Sequence, residues 1–224
     1  MTQEHQFFNL QKEQRRVSSV TRWNGTPQIL SGYNVAIHAY NCANILLMLS
    51  FVQEVEPDGK LLSLILTHDN IEAFTGDLLA PSKDLLPKKW EEIESEVQQS
   101  IVSQTSKEED VDYRFNVYKI FPTDDDLRRH LRTAPFILLR LIDMYEFLTR
   151  AAEEYQVGNR TPKVIDGLKY GTKSFNNRCA QLIKDLGPDC QENNFYLRSA
   201  QILASSLRYF YREVGCLNIA CADE

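Results

Sequence analysis

An alternating run at residues 113–120 constrains the fold of this chain more than any other feature. In that run β-branched and aromatic side chains alternate with polar ones, and Pro122 ends it, which predicts a β-strand in a sequence that otherwise predicts helices. One face of the strand carries Arg114, Asn116 and Tyr118. A strand without a neighbour leaves its backbone N–H and C=O groups unpaired, so a folded protein must pair or cover them.

No second strand of comparable quality is found in the sequence. We therefore predict that the strand pairs with the same strand of a second copy, giving a two-stranded antiparallel ribbon across a twofold axis. Such a ribbon fits the major groove of double-stranded DNA, where Arg and Asn side chains match the edges of guanine and adenine. Arg114, Asn116 and Tyr118 are thus predicted to contact DNA.

Helical patterns account for most of the remaining chain. Helices are predicted at residues 26–55, 60–79, 86–101, 134–155, 161–186 and 195–214. The sequence Thr-Asp-Asp-Asp at residues 123–126 has the pattern of a capping box, which predicts a short helix after the strand. The helix at 134–155 is apolar nearly all round, so we expect burial on nearly all sides, with a second copy supplying part of it.

We expect a mainly α protein. An N-terminal arm is predicted at residues 1–25, a helical domain at 26–215 and a tail at 216–224. The helical domain contains a ribbon-helix-helix-like unit at 112–156, whose single strand pairs across a dimer. The order strand, helix, turn, helix within that unit supports this assignment.

The charge balance restricts how such a protein could bind nucleic acid. The formal net charge is −6, whereas nonspecific nucleic-acid binders carry a basic surplus. Contact with DNA must therefore come from local groups. Arg15 and Arg16 in the arm could follow the backbone or enter a minor groove, and the helix start at Thr133 could anchor a phosphate.

The cysteine pattern and the apolar runs indicate a cytoplasmic protein that does not contact a membrane. Five cysteines at irregular spacings, with no Cys-x-x-Cys pair, argue for a reducing compartment and against a disulfide framework or a zinc site. The longest apolar run, at residues 42–52, is too short to cross a bilayer. No metal and no cofactor is expected.

Few residues indicate catalysis. The pair His68-Asp69 is similar to the adjacent His-Asp pair of metal-dependent phosphohydrolases, but a single dipeptide without further spaced ligands does not define a site. His38 lies in an apolar helix and is interpreted as a hydrogen-bonded core residue. The sequence has no glycine-rich phosphate loop and no Gly-x-Ser-x-Gly motif. An enzyme is therefore disfavoured, and no catalytic residue is predicted.

Three segments together suggest a family. They are the helix opening at residues 26–33, the strand at 113–120 and the apolar helix at 133–145. On these segments the chain resembles the AcaB family of transcriptional regulators from conjugative plasmids and integrative elements. The resemblance implies a dimeric activator of transfer genes built around a ribbon-helix-helix core, with Arg114 and Asn116 among the base-reading residues.

The predicted function is sequence-specific DNA binding by a transcriptional regulator, with RNA polymerase as a further candidate partner. An alternative is a helical interaction protein of a mobile-element system that makes no DNA contact. A third interpretation is a metal-dependent hydrolase that uses His68 and Asp69.

Overall fold

The structure is a computed structural model. It describes residues 11–12, 15–23, 27–77, 85–105, 118, 120–131, 133–186 and 194–221. Within them lie a short 3₁₀ helix, Arg16–Ser19, and the helices α1 Val35–Val52, α2 Gly59–Thr67, α3 Glu72–Thr75, α4 Pro87–Thr105, α5 Asp124–His130, α6 Thr133–Gln156, α7 Pro162–Leu186, α8 Phe195–Glu213 and α9 Leu217–Ala220. The chain forms two compact units: unit 1 comprises Met1–Asn24, Gly32–Ala43 and Gly59–His130, and unit 2 comprises Gly25–Ser31, Asn44–Asp58 and Leu131–Glu224.

Helix α1 begins later than the pattern predicts. The helix expected at residues 26–55 starts at Val35. Gly32 has a φ of +82°, a left-handed conformation that glycine adopts readily and that a helix cannot continue through. The Asn34 side chain then accepts a hydrogen bond from the backbone N–H of Ile37 at 2.9 Å, which caps the new helix start.

Among the described residues, α1 is the one helix long and apolar enough to cross a membrane by length and composition. Half of that apolar window is buried inside the protein. The buried positions include two polar side chains, His38 and Ser50. The core helix of a soluble protein and a signal sequence near the N-terminus pass the same test, so this one helix is weak evidence of a membrane span.

The core cluster of unit 1 joins α3 to α4. It consists of four buried residues, Ile71, Ile101, Val102 and Phe121, and Phe74 packs against it. The Phe74 ring meets the Phe121 ring edge to face, with 5.7 Å between centroids. The 3₁₀ helix packs on α3 as well, so the N-terminal part of the chain is held in this unit.

The structure corrects the strand predicted at residues 113–120. Tyr118 and Ile120 have helical backbone and pack, partly buried, against the core cluster of unit 1. The remaining positions of the predicted strand lie outside the described residues. No β-strand occurs in the residues that are described. The expected fold class, with a ribbon-helix-helix-like unit at 112–156, is therefore wrong in its β element, while its mainly α character is correct.

The capping box before α5 is confirmed. The backbone N–H of Thr123 donates to Asp126 Oδ2 at 3.0 Å, and the backbone N–H of Asp126 donates to Thr123 Oγ1 at 3.2 Å. Gln98, from α4, also donates to Asp126 Oδ2 at 2.8 Å and to the Phe121 carbonyl at 2.8 Å. The short helix is thus fastened to α4 by polar contacts as well as by the core cluster.

Unit 2 is a bundle in which α7 and α8 pack on α6. The helices expected at residues 134–155, 161–186 and 195–214 are confirmed to within a residue at each end. Glycine permits close approach of α7 to α6, since a Cβ built at Gly171 would stand 2.8 Å from Leu148 Cδ2. Helices of the same chain therefore bury the apolar surface of α6 that was assigned to a second copy.

A buried carboxylate organises the polar contacts of unit 2. Glu154 accepts the backbone N–H groups of Ile29 and Leu30, at 2.8 and 2.9 Å, and the Asn159 side-chain amide at 2.9 Å. Arg150 Nη2 lies 3.7 Å from Glu154 Oε1 and donates to the Leu30 carbonyl at 2.7 Å. Every one of these groups that contacts the Glu154 carboxylate is a donor, so the negative charge is matched.

We predict that Glu154→Gln lowers the free energy of unfolding by about 2–3 kcal/mol, because an amide N–H₂ then faces a backbone N–H and a charge-assisted hydrogen bond is lost. Urea titration monitored by circular dichroism measures the change. Glu153→Gln is the matched control, since its side chain is 46% exposed, and we expect a change within about 0.5 kcal/mol. Equal effects of the two substitutions would contradict this role of Glu154.

Candidate metal centre

A turn between α2 and α3 presents the residues of the centre. The helix predicted at 60–79 is wrong as one continuous element, because α2 ends at Thr67 and α3 begins at Glu72. The Asn70 N–H donates to the Thr67 carbonyl and the Glu72 N–H to the Asp69 carbonyl, each at 2.9 Å. This interruption releases the side chains between the two helices from the helical repeat and lets His68 and Asp69 share one site.

His68 is oriented by a backbone contact. Its Nδ1 lies 2.7 Å from the carbonyl oxygen of Ile65. A carbonyl only accepts hydrogen bonds, so Nδ1 carries the proton and Nε2 of the neutral ring carries the lone pair. That Nε2 lies 3.4 Å from Asp69 Oδ2. Metal-binding histidines are commonly oriented by such a bond to a backbone carbonyl.

His38, from the first turn of α1, reaches the same carboxylate oxygen. Its Nε2 lies 3.5 Å from Asp69 Oδ2, and the centroids of the His38 and His68 rings are 5.3 Å apart. The interpretation of His38 as a core residue describes its burial correctly but misses this convergence. Two imidazole nitrogens and a carboxylate oxygen form a donor set that suits a transition-metal cation.

Arg22 enters the centre from the chain before α1. An isolated antiparallel bridge between Thr21 and Asn34 pairs the two segments, and the Arg22 N–H donates to the Tyr33 carbonyl at 3.2 Å. This pairing directs the Arg22 side chain toward the α2–α3 turn. Its Nη1 lies 2.6 Å from Asp69 Oδ2.

Arg22 contacts three carboxylates in the centre. Besides Asp69, Arg22 Nη1 contacts Glu72 Oε2 at 3.1 Å and Asp77 Oδ1 at 3.4 Å. The side chains of all four residues are at most 14% exposed. Arg22 therefore lies against three largely buried carboxylates, and a buried carboxylate is costly unless it is matched. A divalent cation held by the two imidazole nitrogens and the Asp69 carboxylate would add positive charge here, so the residues fit a metal site.

Trp23 has an unusual backbone at the edge of the centre. Its φ is +62°, a left-handed conformation that is an outlier for a bulky residue. Its backbone N–H donates to Asp77 Oδ2, and its ring meets the Tyr33 ring edge to face at 6.1 Å. Strained residues of this kind persist where surrounding contacts hold them, and they cluster at functional sites.

Six residues were predicted to bind DNA, and the structure describes four of them. Arg114 and Asn116 fall outside the described residues. Tyr118 is partly buried against the core cluster of unit 1, and Thr133 is exposed at the start of α6. Arg15 and Arg16 are exposed. The positions of these residues do not by themselves test whether they form a binding site.

Cysteine chemistry is not favoured at two of the described thiols. Burial raises the pKa of Cys179 to about 11, and burial is also the main cause that raises the pKa of Cys216 to about 11. Both groups are therefore protonated thiols at neutral pH rather than nucleophilic thiolates.

The described residues form helices that bring an adjacent His-Asp pair together with an upstream histidine, and solved structures share this fold. The crystal structure of an HD-domain phosphohydrolase from Listeria innocua is similar, with a TM-score of 0.62 at 17% identity, over 92% of this chain and 98% of that one. The family described as 5'-deoxynucleotidase YfbR-like matches residues 7–177, and the chain belongs to this family. No curated protein matches.

Family and fold overturn the predicted function. The resemblance to the AcaB family and its ribbon-helix-helix core is wrong, because the chain belongs to a family of enzymes with the HD-domain fold. The DNA-binding regulator, the nonenzymatic adaptor and the expectation that the chain is not an enzyme are wrong for the same reason. The predicted partners, DNA, a ribbon-paired second copy and RNA polymerase, are wrong on the same findings, because the matching family is one of enzymes described as 5'-deoxynucleotidases.

A sequence signal for the centre was present but incomplete. His38 precedes His68-Asp69 by one helix and a loop, and Glu72 and Asp77 follow. The sequence therefore contained further residues that could belong to the site. His38 was not recognised as one of them because it is distant from His68-Asp69 in the sequence, and nothing in the apolar pattern of α1 shows that it faces the α2–α3 turn.

We predict that the purified protein binds Co²⁺. The loss of a hydrogen-bond partner of a metal ligand weakens metal binding roughly 10–100-fold, and Asp69→Asn, which changes a ligand itself, should weaken Co²⁺ binding by more than that. Equilibrium dialysis with elemental analysis measures the affinity. Asp125→Asn, an exposed carboxylate of unit 1 that pairs with Arg129, is the control and should bind like the wild type. Equal affinity of the Asp69→Asn variant and the wild type would contradict the metal assignment.

Proposed function

We propose that the protein hydrolyses the 5'-phosphate of deoxyribonucleoside monophosphates in a metal-dependent reaction that yields the deoxyribonucleoside and phosphate. The observation that carries the proposal is the convergence of His38 Nε2 and His68 Nε2 on Asp69 Oδ2, at 3.5 and 3.4 Å. The substrate class is that of the family.

His38, His68 and Asp69 are the residues that would hold the metal. A divalent cation bound by them supplies a Lewis acid for a phosphate oxygen and for the attacking water. The outer nitrogen of each imidazole is already engaged, by the Ile65 carbonyl and the Tyr33 hydroxyl, so the rings are oriented before any ligand binds.

Arg22 is the group that would bind the phosphate. Its guanidinium is a planar fork of donors that matches phosphate oxygens, and it is always charged. It stands 2.6 Å from Asp69, so a phosphate bound to it also lies next to the proposed metal ligands. Its present contacts with carboxylates show that it is directed into the centre.

Glu72 is suited to take a proton from the attacking water. It is the first residue of α3, its side chain is 3% exposed, and its Oε2 lies 3.1 Å from Arg22 Nη1. This contact places a proton acceptor next to the guanidinium that is proposed to bind the phosphate. General-base catalysis of this kind requires hydrogen-bond reach first and a suitable pKa second.

We also propose that the enzyme works in the cytoplasm. None of the four described cysteines, Cys42, Cys179, Cys216 and Cys221, forms a disulfide. Reduced cysteines are typical of a reducing compartment, where nucleotide pools are found.

We expect Glu72→Gln to lower kcat for dAMP by about 10²–10⁴-fold while Co²⁺ affinity stays within a few fold of the wild type, because the amide cannot accept the proton. Phosphate release with Co²⁺-loaded enzyme measures the rate. Glu153→Gln serves as the control with wild-type kcat. Absence of phosphate release by the loaded wild type would refute the proposed function, and an unchanged kcat in Glu72→Gln would refute the role of Glu72 alone.

Arg22→Lys should raise KM for dAMP by about 10–100-fold, since the charge is kept but the two-pronged contact with phosphate is lost. Steady-state kinetics on dAMP, with deoxyadenosine as a product inhibitor that has no phosphate, measures the effect. The inhibition constant of deoxyadenosine should not change. Arg129→Lys, with a side chain that is 70% exposed, is the control. A KM equal to that of the wild type would show that Arg22 does not bind the phosphate.

A further inference from the structure

Two buried amide side chains of unit 1 bind the carbonyl groups of consecutive residues. Asn70 lies in the turn between α2 and α3, and Gln98 lies in α4. Asn70 Nδ2 donates to the Ile120 carbonyl at 2.7 Å, and Gln98 Nε2 donates to the Phe121 carbonyl at 2.8 Å. A carbonyl only accepts hydrogen bonds, so each amide turns its nitrogen, and not its oxygen, toward residues 120–121.

Asn70 directly follows Asp69, the carboxylate on which the two histidines converge. The turn has backbone hydrogen bonds of its own, such as that from the Asn70 N–H to the Thr67 carbonyl at 2.9 Å. Such bonds fix the local shape of the turn, but they join residues that are close in the sequence. The Asn70 side chain also fixes where the turn stands in the unit, because its partner, Ile120, is 50 residues away.

The segment that accepts these bonds is placed by the core cluster of unit 1. Phe121 is one of the buried residues of that cluster, and Ile120 packs against it. Ile71, the residue after Asn70, belongs to the same cluster. The turn therefore contacts this part of unit 1 through an apolar side chain and through a hydrogen bond. Burial of apolar surface is non-directional, whereas a hydrogen bond also fixes an orientation.

We propose that Asn70 is a positioning residue of the metal centre: its side-chain amide, bound to the Ile120 carbonyl, holds the α2–α3 turn where Asp69 meets its partners. This inference rests on the proposed function for the identity of the bound group. Gln98 makes the same kind of contact with the next carbonyl, from a helix that carries none of the proposed metal ligands. It therefore provides a matched comparison, because the loss of either amide removes a buried hydrogen bond to residues 120–121.

Asn70→Leu tests the inference, because it removes the amide and keeps a side chain of similar size. We expect the Kd for Co²⁺ to rise about 10-fold, the lower end of the range for groups that orient metal ligands. We also expect the Glu72 N–H, which donates to the Asp69 carbonyl, to exchange with solvent about 10-fold faster in the metal-free protein. Equilibrium dialysis and hydrogen exchange followed by NMR measure the two changes.

Gln98→Met is the control, since it also replaces a buried amide by an apolar group. It should leave Co²⁺ affinity and exchange of the Glu72 N–H as in the wild type. It should instead speed exchange of the Leu127 N–H in α5, because Gln98 also donates to Asp126 Oδ2 at 2.8 Å. If Asn70→Leu does not fold, Asn70→Ala, which adds no bulk, takes its place with the same expected changes.

Each result decides one question. Wild-type Co²⁺ affinity in the Asn70 variant, or wild-type exchange of its Glu72 N–H, overturns the role of Asn70. Equal changes in the Asn70 and Gln98 variants also overturn it, because the effect would then be general destabilisation. If the wild type neither binds Co²⁺ nor releases phosphate, the proposed function fails, and exchange of the Glu72 N–H still decides whether Asn70 holds the turn.

Discussion

The structure of the centre depends on one carboxylate oxygen. Asp69 Oδ2 stands 2.6 Å from Arg22 Nη1, 3.4 Å from His68 Nε2 and 3.5 Å from His38 Nε2. These contacts bring together a segment before α1, the first turn of α1 and the turn between α2 and α3. Burying this much charge is unfavourable unless it is matched, so each contributing segment is held by backbone hydrogen bonds that do not depend on the charged groups.

Two carboxylates, Glu154 in unit 2 and Asp69 in unit 1, illustrate the difference between a structural group and a candidate functional one. Glu154 is surrounded by donors, from Ile29, Leu30 and Asn159, so its charge is satisfied within unit 2. Asp69 shares the Arg22 guanidinium with Glu72 and Asp77, and its Oδ2 lies within 3.5 Å of two imidazole nitrogens. The first arrangement surrounds a carboxylate with hydrogen-bond donors, whereas the second brings together the nitrogen and oxygen atoms that bind a cation.

The prediction of a strand at residues 113–120 is wrong because of tertiary packing. Alternation of aromatic and polar residues indicates a half-buried strand only when a neighbouring strand exists, and Tyr118 and Ile120 instead bury their apolar surface on the core cluster of unit 1. The inference of a DNA-binding ribbon depended on that strand. By contrast, the capping box at Thr123 and the boundaries of α6, α7 and α8 were predicted correctly, because caps and helical periodicity are local.

By itself the sequence determined the helical class, most helix boundaries in unit 2 and the presence of an adjacent His68-Asp69 pair. Only the tertiary structure decided that α2 stops at Thr67, that His38 faces Asp69 and that Arg22 turns into the centre. Helix periodicity can be recognised from residues that are close in the sequence, but a metal centre needs groups far apart in the chain to lie within a few ångströms of one another. Packing and the pairing of residues 20–22 with 33–35 bring these groups together, and the spacing of residues in the sequence does not reveal that pairing.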